Sequence, residues 1–153
     1  MHLYKKNVIV KIQGGMGNQL FQYATGKSLS LRLGVKLILD LNWYLDNSNP
    51  KCKFILDSFK IDDLTWTLPI KLPRIIRTIL YKFLEKISPL GCTLPVLKDT
   101  HFKFNYEVLN IQDPAFLDGY WQNEFYFQEY RKELINILDL KDEIDLKNSE
   151  LLE

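Results

Sequence analysis

Three glycines within four positions, Gly14, Gly15 and Gly17, stand directly before two adjacent carboxamides, Asn18 and Gln19. Glycine lets a backbone adopt positive φ and lets a ligand come close to the chain. Where such a loop joins a strand to a helix, the free N–H groups of the helix start carry about half a positive charge and face the ligand. Phosphate or pyrophosphate is then the natural guest. Asn18 and Gln19 add side-chain donors and acceptors for a polar ligand, and Asn18 equally suits an ordinary helix N-cap. The expected binding set in this loop is Gly14, Gly15, Met16, Gly17, Asn18 and Gln19.

The neighbouring sequence predicts both elements. Residues 8–12 form a short β-branched run that reads as a buried strand stopped by glycines. From Asn18 onward, Leu20, Phe21, Ala24 and Leu31 fall at helical spacing, and Gly34 sits where a C-terminal cap belongs. Residues 35–41 are a second apolar run of strand length. Strand, glycine turn, helix and strand make a βαβ unit, which implies a parallel sheet with a right-handed crossover. The fold class is therefore α/β, a Rossmann-like parallel sheet with flanking helices. Asp40 ends the second strand, 23 positions after Gly17, where a ribose-binding acid would stand.

Generic nucleotide motifs fit this loop only in part. Gly15-Met16-Gly17-Asn18-Gln19-Leu20 supplies two glycines of the dinucleotide fingerprint, but Leu20 stands where a small residue should let helix and strand close. No Gly-Lys-Ser/Thr follows, so a P-loop is excluded. A dinucleotide site and a plain tight turn both stay open at this level.

Further along, 46–50 is a turn cluster. Pro69 and Pro73 introduce a helical pattern with Ile76, Ile79, Leu80, Phe83, Leu84 and Ile87 on one face, closed by Pro89, Gly91 and Pro95. Lys71, Arg74, Arg77, Lys82 and Lys86 surround that stripe. A basic amphipathic helix over 74–87 can rest on an anionic membrane surface; a solvated basic face is the plainer alternative. Short strands are expected at 102–104 and 116–121. A final helix is expected from about Phe125, with Phe127, Tyr130, Leu134, Ile137 and Leu138 on its core stripe. Core packing accounts for most aromatics between 116 and 130. Tyr120 and Trp121, beside Gly119 at a strand end, are the ones expected to support a sugar face. Asp118 reads as a turn residue or as a carboxylate at a strand end.

Composition narrows the rest. With 153 residues, 46% apolar and 25% charged, the chain has the make-up of one globular domain, which excludes bulk disorder. Lys plus Arg is 20 against Asp plus Glu 19, a net charge of +1, so a dedicated nucleic-acid binder is not expected. Cys52 and Cys92 form neither a disulfide framework nor a ligand spacing, and His2 and His101 are too isolated for a metal site. No metal or other cofactor is expected. The chain shows no apolar run of about 18 residues and no signal-peptide pattern at its start. The expected compartment is cytoplasmic.

The segment Gly14-Gly15-Met16-Gly17-Asn18-Gln19-Leu20-Phe21-Gln22-Tyr23-Ala24 closely resembles the N-terminal signature of the α-1,2-fucosyltransferase family (glycosyltransferase family 11). Leu117-Asp118-Gly119-Tyr120-Trp121-Gln122-Asn123-Glu124-Phe125-Tyr126-Phe127 is similar to the family's later Gly-Tyr-aromatic-Gln segment, and the two frame residues 8–138. The resemblance implies a two-domain, GT-B-like enzyme that moves L-fucose from GDP-fucose to a galactoside 2-hydroxyl with inversion and without a metal. It implies Asn18 as the catalytic candidate, touching phosphate or the incoming hydroxyl, and adds Gln122 to the substrate-binding residues. The family's His-x-Arg-Arg-x-Asp-Tyr segment, associated with the donor diphosphate, is absent. The expectation is that 1–153 is the N-terminal, acceptor-side domain, inactive alone, with the donor-binding domain following. The rival expectation is a non-catalytic nucleotide- or glycan-binding α/β module.

Overall fold

A computed structural model describes residues 7–46, 52–66, 75–76, 79, 94–99 and 104–140. Five strands, β1 (Asn7–Lys11), β2 (Lys36–Asp40), β3 (Leu64–Trp66), β4 (Val96–Lys98) and β5 (Phe116–Asp118), form one sheet in the order β3-β2-β1-β5-β4. Every neighbouring pair is parallel. Parallel strands are covered on both faces, which is why they read as continuous apolar runs. The side-chain alternation sorts them. Val8, Val10, Leu37, Leu39, Leu97 and Leu117 join the main core with Tyr23, Ala24 and Leu29, whereas Ile9, Ile38 and Phe116 form a separate buried cluster on the other face.

Helix α1 (Met16–Leu33) lies over β1 and β2. Its buried residues include Gln19, Gln22, Thr25, Gly26, Ser28 and Ser30, an unusually polar and small face for a core helix. Gly26 explains part of that choice. A Cβ there would lie 3.0 Å from both Val10 Cγ1 and Leu37 Cδ1, so the backbone can sit this close to the sheet only without a side chain. The role that the dinucleotide fingerprint gives to a small residue at the position of Leu20 is filled here by Gly26. Gly34 closes the helix in the left-handed region at φ 63, as expected of a C-cap glycine.

Two polar ties lock α1 to its surroundings. Tyr23 Oη donates to Asp63 Oδ2 at 2.7 Å, and Lys27 Nζ meets Asp63 Oδ1 at 2.8 Å, which fixes the approach to β3. At the other end the Arg32 guanidinium donates to the carbonyls of Val108 (2.7 Å), Ile111 (3.2 Å) and Leu109. These are carbonyls around the short helix α3 (Glu107–Asn110), so a cation meets the negative end of a helix dipole.

The structure departs from the sequence pattern in several places. Helix α1 begins at Met16, two residues early, and its N-cap is Gly15 without a side-chain cap, so Asn18 is inside the helix. Leu31, placed on the apolar face by its spacing, is 38% exposed. The strand expected at 116–121 ends at Asp118 because Trp121 has φ 55, which no strand accommodates. Phe104 lies in a loop, and 102–103 fall outside the described residues. The last helix is two 3-10 turns, Glu124–Tyr126 and Gln128–Tyr130, followed by α4 (Arg131–Ile137). Its expected core residues nonetheless all pack on the main core. The helix α2 (Asn42–Asp46) and the strands β3 and β4 carry no sequence signal strong enough to call. Most of the basic helical pattern at 74–87, and with it Cys92, His2 and His101, lies outside the described residues.

Candidate functional site

The strand order changes sense between β1 and β5. From β1 the chain moves outward through β2 to β3, and β5 and β4 are then added on the other side of β1. In open parallel sheets the crevice at the carboxyl ends of two such strands is where ligands bind. The segments 12–19 and 119–122 leave β1 and β5 at that point.

Gly14 must be glycine for two reasons. Its φ is +80, and a Cβ would stand 2.6 Å from Asn18 Nδ2, so the Asn18 carboxamide lies directly over the Gly14 backbone. Gly15 and Gly17 differ: a Cβ at either would meet nothing within 4 Å. The ground in front of the helix start is open, and Met16 is 55% exposed beside it. Helix α1 has no side-chain cap and no acid in its first turn. The amides of its first turn therefore lack the side-chain partner that usually meets them.

Two buried side chains and one half-buried one hold this loop. Gln22, fully buried, accepts from Gln13 N at 2.9 Å and donates to Gly119 O at 3.1 Å, tying the loop after β1 to the loop after β5. Gln19, also fully buried, donates to Gly14 O (3.1 Å) and Lys53 O (2.7 Å) and accepts from Ile55 N (2.9 Å). Its carboxamide thus acts on residues 53–55 as a neighbouring strand would. Tyr44 Oη donates to Gly14 O at 3.0 Å, and burial pushes this phenol well above its ordinary range.

The second segment is equally constrained. Gly119 passes so close to Asp99 that a Cβ would lie 2.9 Å from the Asp99 amide nitrogen. Asp99 Oδ2 accepts from Trp121 N at 3.0 Å, which supports the left-handed turn at that residue. Trp121 itself is fully buried and packs edge-on to Tyr126, with ring centroids 5.6 Å apart. Gln122 is exposed and donates Nε2 to Asn18 Oδ1 at 2.7 Å. The two sequence motifs, 104 residues apart, meet at this bond.

Of the residues singled out from sequence, Gly14, Gly15, Met16, Gly17, Asn18 and Gln122 gather around the crevice. Gln19 is beneath it, with its amide engaged by backbone. Asp40 is fully buried at the end of β2, where Oδ1 accepts from Asn42 N (3.0 Å) and Nδ2 (2.6 Å). Trp121 faces the core, and Tyr120 is half-buried. Asp118 pairs with Lys11 at 3.1 Å, and strand alternation puts both on the sheet face away from α1. Gln22, Tyr44 and Asp99 were not singled out. The Gln19–Gln22 spacing, i to i+3 on one helix face, was a usable signal for the first; nothing local marks the other two.

Among the described residues no group of three His, Cys, Asp or Glu could hold a metal ion, and no helix is long and apolar enough to cross a membrane. No protein-family model matches the chain, and no solved structure matches it. The chain is similar to the alpha-1,2-colitosyltransferase of Escherichia coli, 31% identical over 130 residues that make up 85% of this chain and 44% of that protein, so it spans less than half the length of this relative.

Proposed function

We propose that residues 1–153 are the acceptor-side, Rossmann-like half of an inverting glycosyltransferase that uses a nucleotide sugar. The reaction class is transfer of L-fucose, or of a related sugar, from its GDP donor to the 2-hydroxyl of a galactoside. The observation that carries this reading is the meeting of both motif segments, through Asn18 and Gln122, over an open and uncapped helix start. The similarity to an alpha-1,2-colitosyltransferase supports the transferase class and makes the colitosyl group the second donor to test.

Transfer requires that negative charge on the departing diphosphate be stabilised and that the acceptor hydroxyl lose a proton. The first-turn amides of α1 and the Asn18 carboxamide supply donors for the first task. Gly15 and Gly17 leave room for the ligand to approach them. Gln19, Gln22 and Tyr44 hold the loop in place. The guanine and the remaining diphosphate contacts are assigned to a second, donor-binding domain of a GT-B-like enzyme, and no metal is invoked.

Product analysis tests the reading: the intact gene product is incubated with lactose and either GDP-fucose or the corresponding colitosyl donor. A 2-linked product, with turnover severely reduced by Asn18→Ala, is expected. Binding of nucleotide or glycan with no transfer to any galactoside would favour a non-catalytic module instead.

A peripheral membrane contact is a further part of the proposal. Ile75, Ile76 and Ile79 are helical and more than half exposed, and Arg74, Arg77 and Lys82 are interspersed among them in sequence. An exposed apolar stripe with basic neighbours suits an anionic lipid surface. Loss of binding to anionic liposomes on replacing Arg74, Arg77 and Lys82 by Glu is expected; unchanged binding would remove the contact.

A further inference from the structure

The orientation of one carboxamide decides what the crevice can bind. An asparagine side chain is ambivalent, accepting through Oδ1 and donating through Nδ2. In this fold Gln122 donates to Asn18 Oδ1 at 2.7 Å. Asn18 Nδ2 is left lying over Gly14. The Gly14 carbonyl below cannot take it up, because Gln19 Nε2 and Tyr44 Oη already fill its two lone pairs. Asn18 Nδ2 donates to none of the described residues.

Gln122 is exposed, yet its backbone is held firmly. It follows Trp121, whose left-handed turn is supported by Asp99. Two residues before that, the Gly119 carbonyl is bound by the buried Gln22 and its Cα is pressed against Asp99. The turn therefore presents the Gln122 carboxamide at a set place against Asn18.

We propose that Gln122 is a positioning residue. By occupying Asn18 Oδ1 it commits Asn18 to act as a donor through Nδ2, adding a side-chain donor to the first-turn amides of α1. Such a surface selects a negatively charged oxygen, here the diphosphate of the nucleotide sugar, over a neutral hydroxyl. This inference rests on the function proposed above and adds how its anion selectivity is set.

The test is a double-mutant cycle on the intact gene product, read by calorimetric titration with GDP and, separately, with guanosine. Gln122→Met keeps the side-chain length and removes the donor. It should weaken GDP binding about threefold to tenfold, the range of one lost hydrogen bond, and leave guanosine binding unchanged. In an Asn18→Ala background the same replacement should change GDP binding by less than about twofold, since the partner through which it acts is gone. Gln122→Glu, able only to accept, should weaken GDP more than Gln122→Met does. A full effect persisting in the Asn18→Ala background overturns the inference, as does equal loss for guanosine. So does Gln122→Met binding GDP like the unaltered protein. A fall in unfolding midpoint that accompanies weaker binding of both ligands marks a folding effect and also overturns it. If the unaltered protein binds GDP and Gln122→Met changes nothing, only this inference fails. If the unaltered protein does not bind GDP at all, the proposed function fails with it.

Discussion

Gly14, in the loop after β1, and Gly17, in the first turn of α1, lie three residues apart, and replacing each by alanine should move stability in opposite directions. Gly14 has φ +80, and a methyl group there would stand 2.6 Å from Asn18 Nδ2. Holding an L-residue in the left-handed region costs about 1–2 kcal/mol. Displacing Asn18 forfeits its bond to Gln122, worth about 0.5–1.5 kcal/mol. Together Gly14→Ala should lose about 2–3 kcal/mol, which for a urea slope of about 1–3 kcal/mol/M lowers the unfolding midpoint by roughly 0.7–3 M. Gly17 is inside α1, has no positive φ, and its added Cβ would touch nothing within 4 Å. There alanine should raise stability by about 0.5 kcal/mol, since it reduces the freedom lost on folding. The same methyl group would stand on the open ground assigned to the ligand, so Gly17→Ala should weaken GDP binding while the fold gains. Urea unfolding followed by circular dichroism, with GDP titration on the same samples, reads both quantities. Gly14→Ala unfolding within 0.5 kcal/mol of the unaltered protein would refute the loop geometry. Undiminished GDP affinity in Gly17→Ala would show that the open ground is not where the ligand sits.

Other substitutions and conditions have equally definite outcomes. Gln22→Ala leaves the Gln13 amide and the Gly119 carbonyl without their partner and should cost about 2–4 kcal/mol, together with faster hydrogen exchange at Gln13. Gly26→Ala presses a methyl group against Val10 and Leu37 at 3.0 Å; a loss of about 1–3 kcal/mol is expected from overpacking, measurable in the same urea experiment. Burial, then the hydrogen bond and charge of Asp63, push the Tyr23 phenol far above its ordinary 10.0, and burial raises Tyr44 as well. The unfolded chain releases these protons near pH 10 and the folded chain does not. Stability should therefore be complete below pH 10 and fall as pH rises beyond it, with phenolate absorbance for these two residues developing only as the fold opens. A stability curve flat to well above pH 10 would contradict their burial.

The βαβ start was legible because its signals are local and agree. An apolar β-branched run, glycines in a turn and a glycine cap at Gly34 each point to the same boundaries, and the strands and cap stand within a residue or so of expectation. The helix start was misplaced because Asn18 looks like a cap in isolation. In the fold its carboxamide is drawn away by Gln122, a residue 104 positions distant. Gln19 is read from sequence with the ligand in mind, yet it is buried and binds backbone groups of the loops. Sequence pattern cannot tell a carboxamide that meets a ligand from one that meets a carbonyl, since both need the same atoms. The burial of Trp121, which the sequence offers as a support for a sugar face, escapes notice for a related reason. Its neighbour Gly119 suggested an open strand end, whereas the close crossing with Asp99 turns the chain sharply and sends the indole inward. The strands β3 and β4, three residues each, carry too little pattern to be separated from loops.

The placement of β5 beside β1 has a consequence for how the chain is made. β1 is synthesised before the other strands of the sheet, but the partner on one of its flanks is encoded more than a hundred residues later. At typical elongation rates of about 5–20 residues per second, β1 waits several seconds with that edge bare. The outermost β4, although translated earlier, has no neighbour to join until β5 arrives between them. Assembly of this sheet is thus non-local and slow, and during translation one flank of β1 stays unpaired until β5 is made.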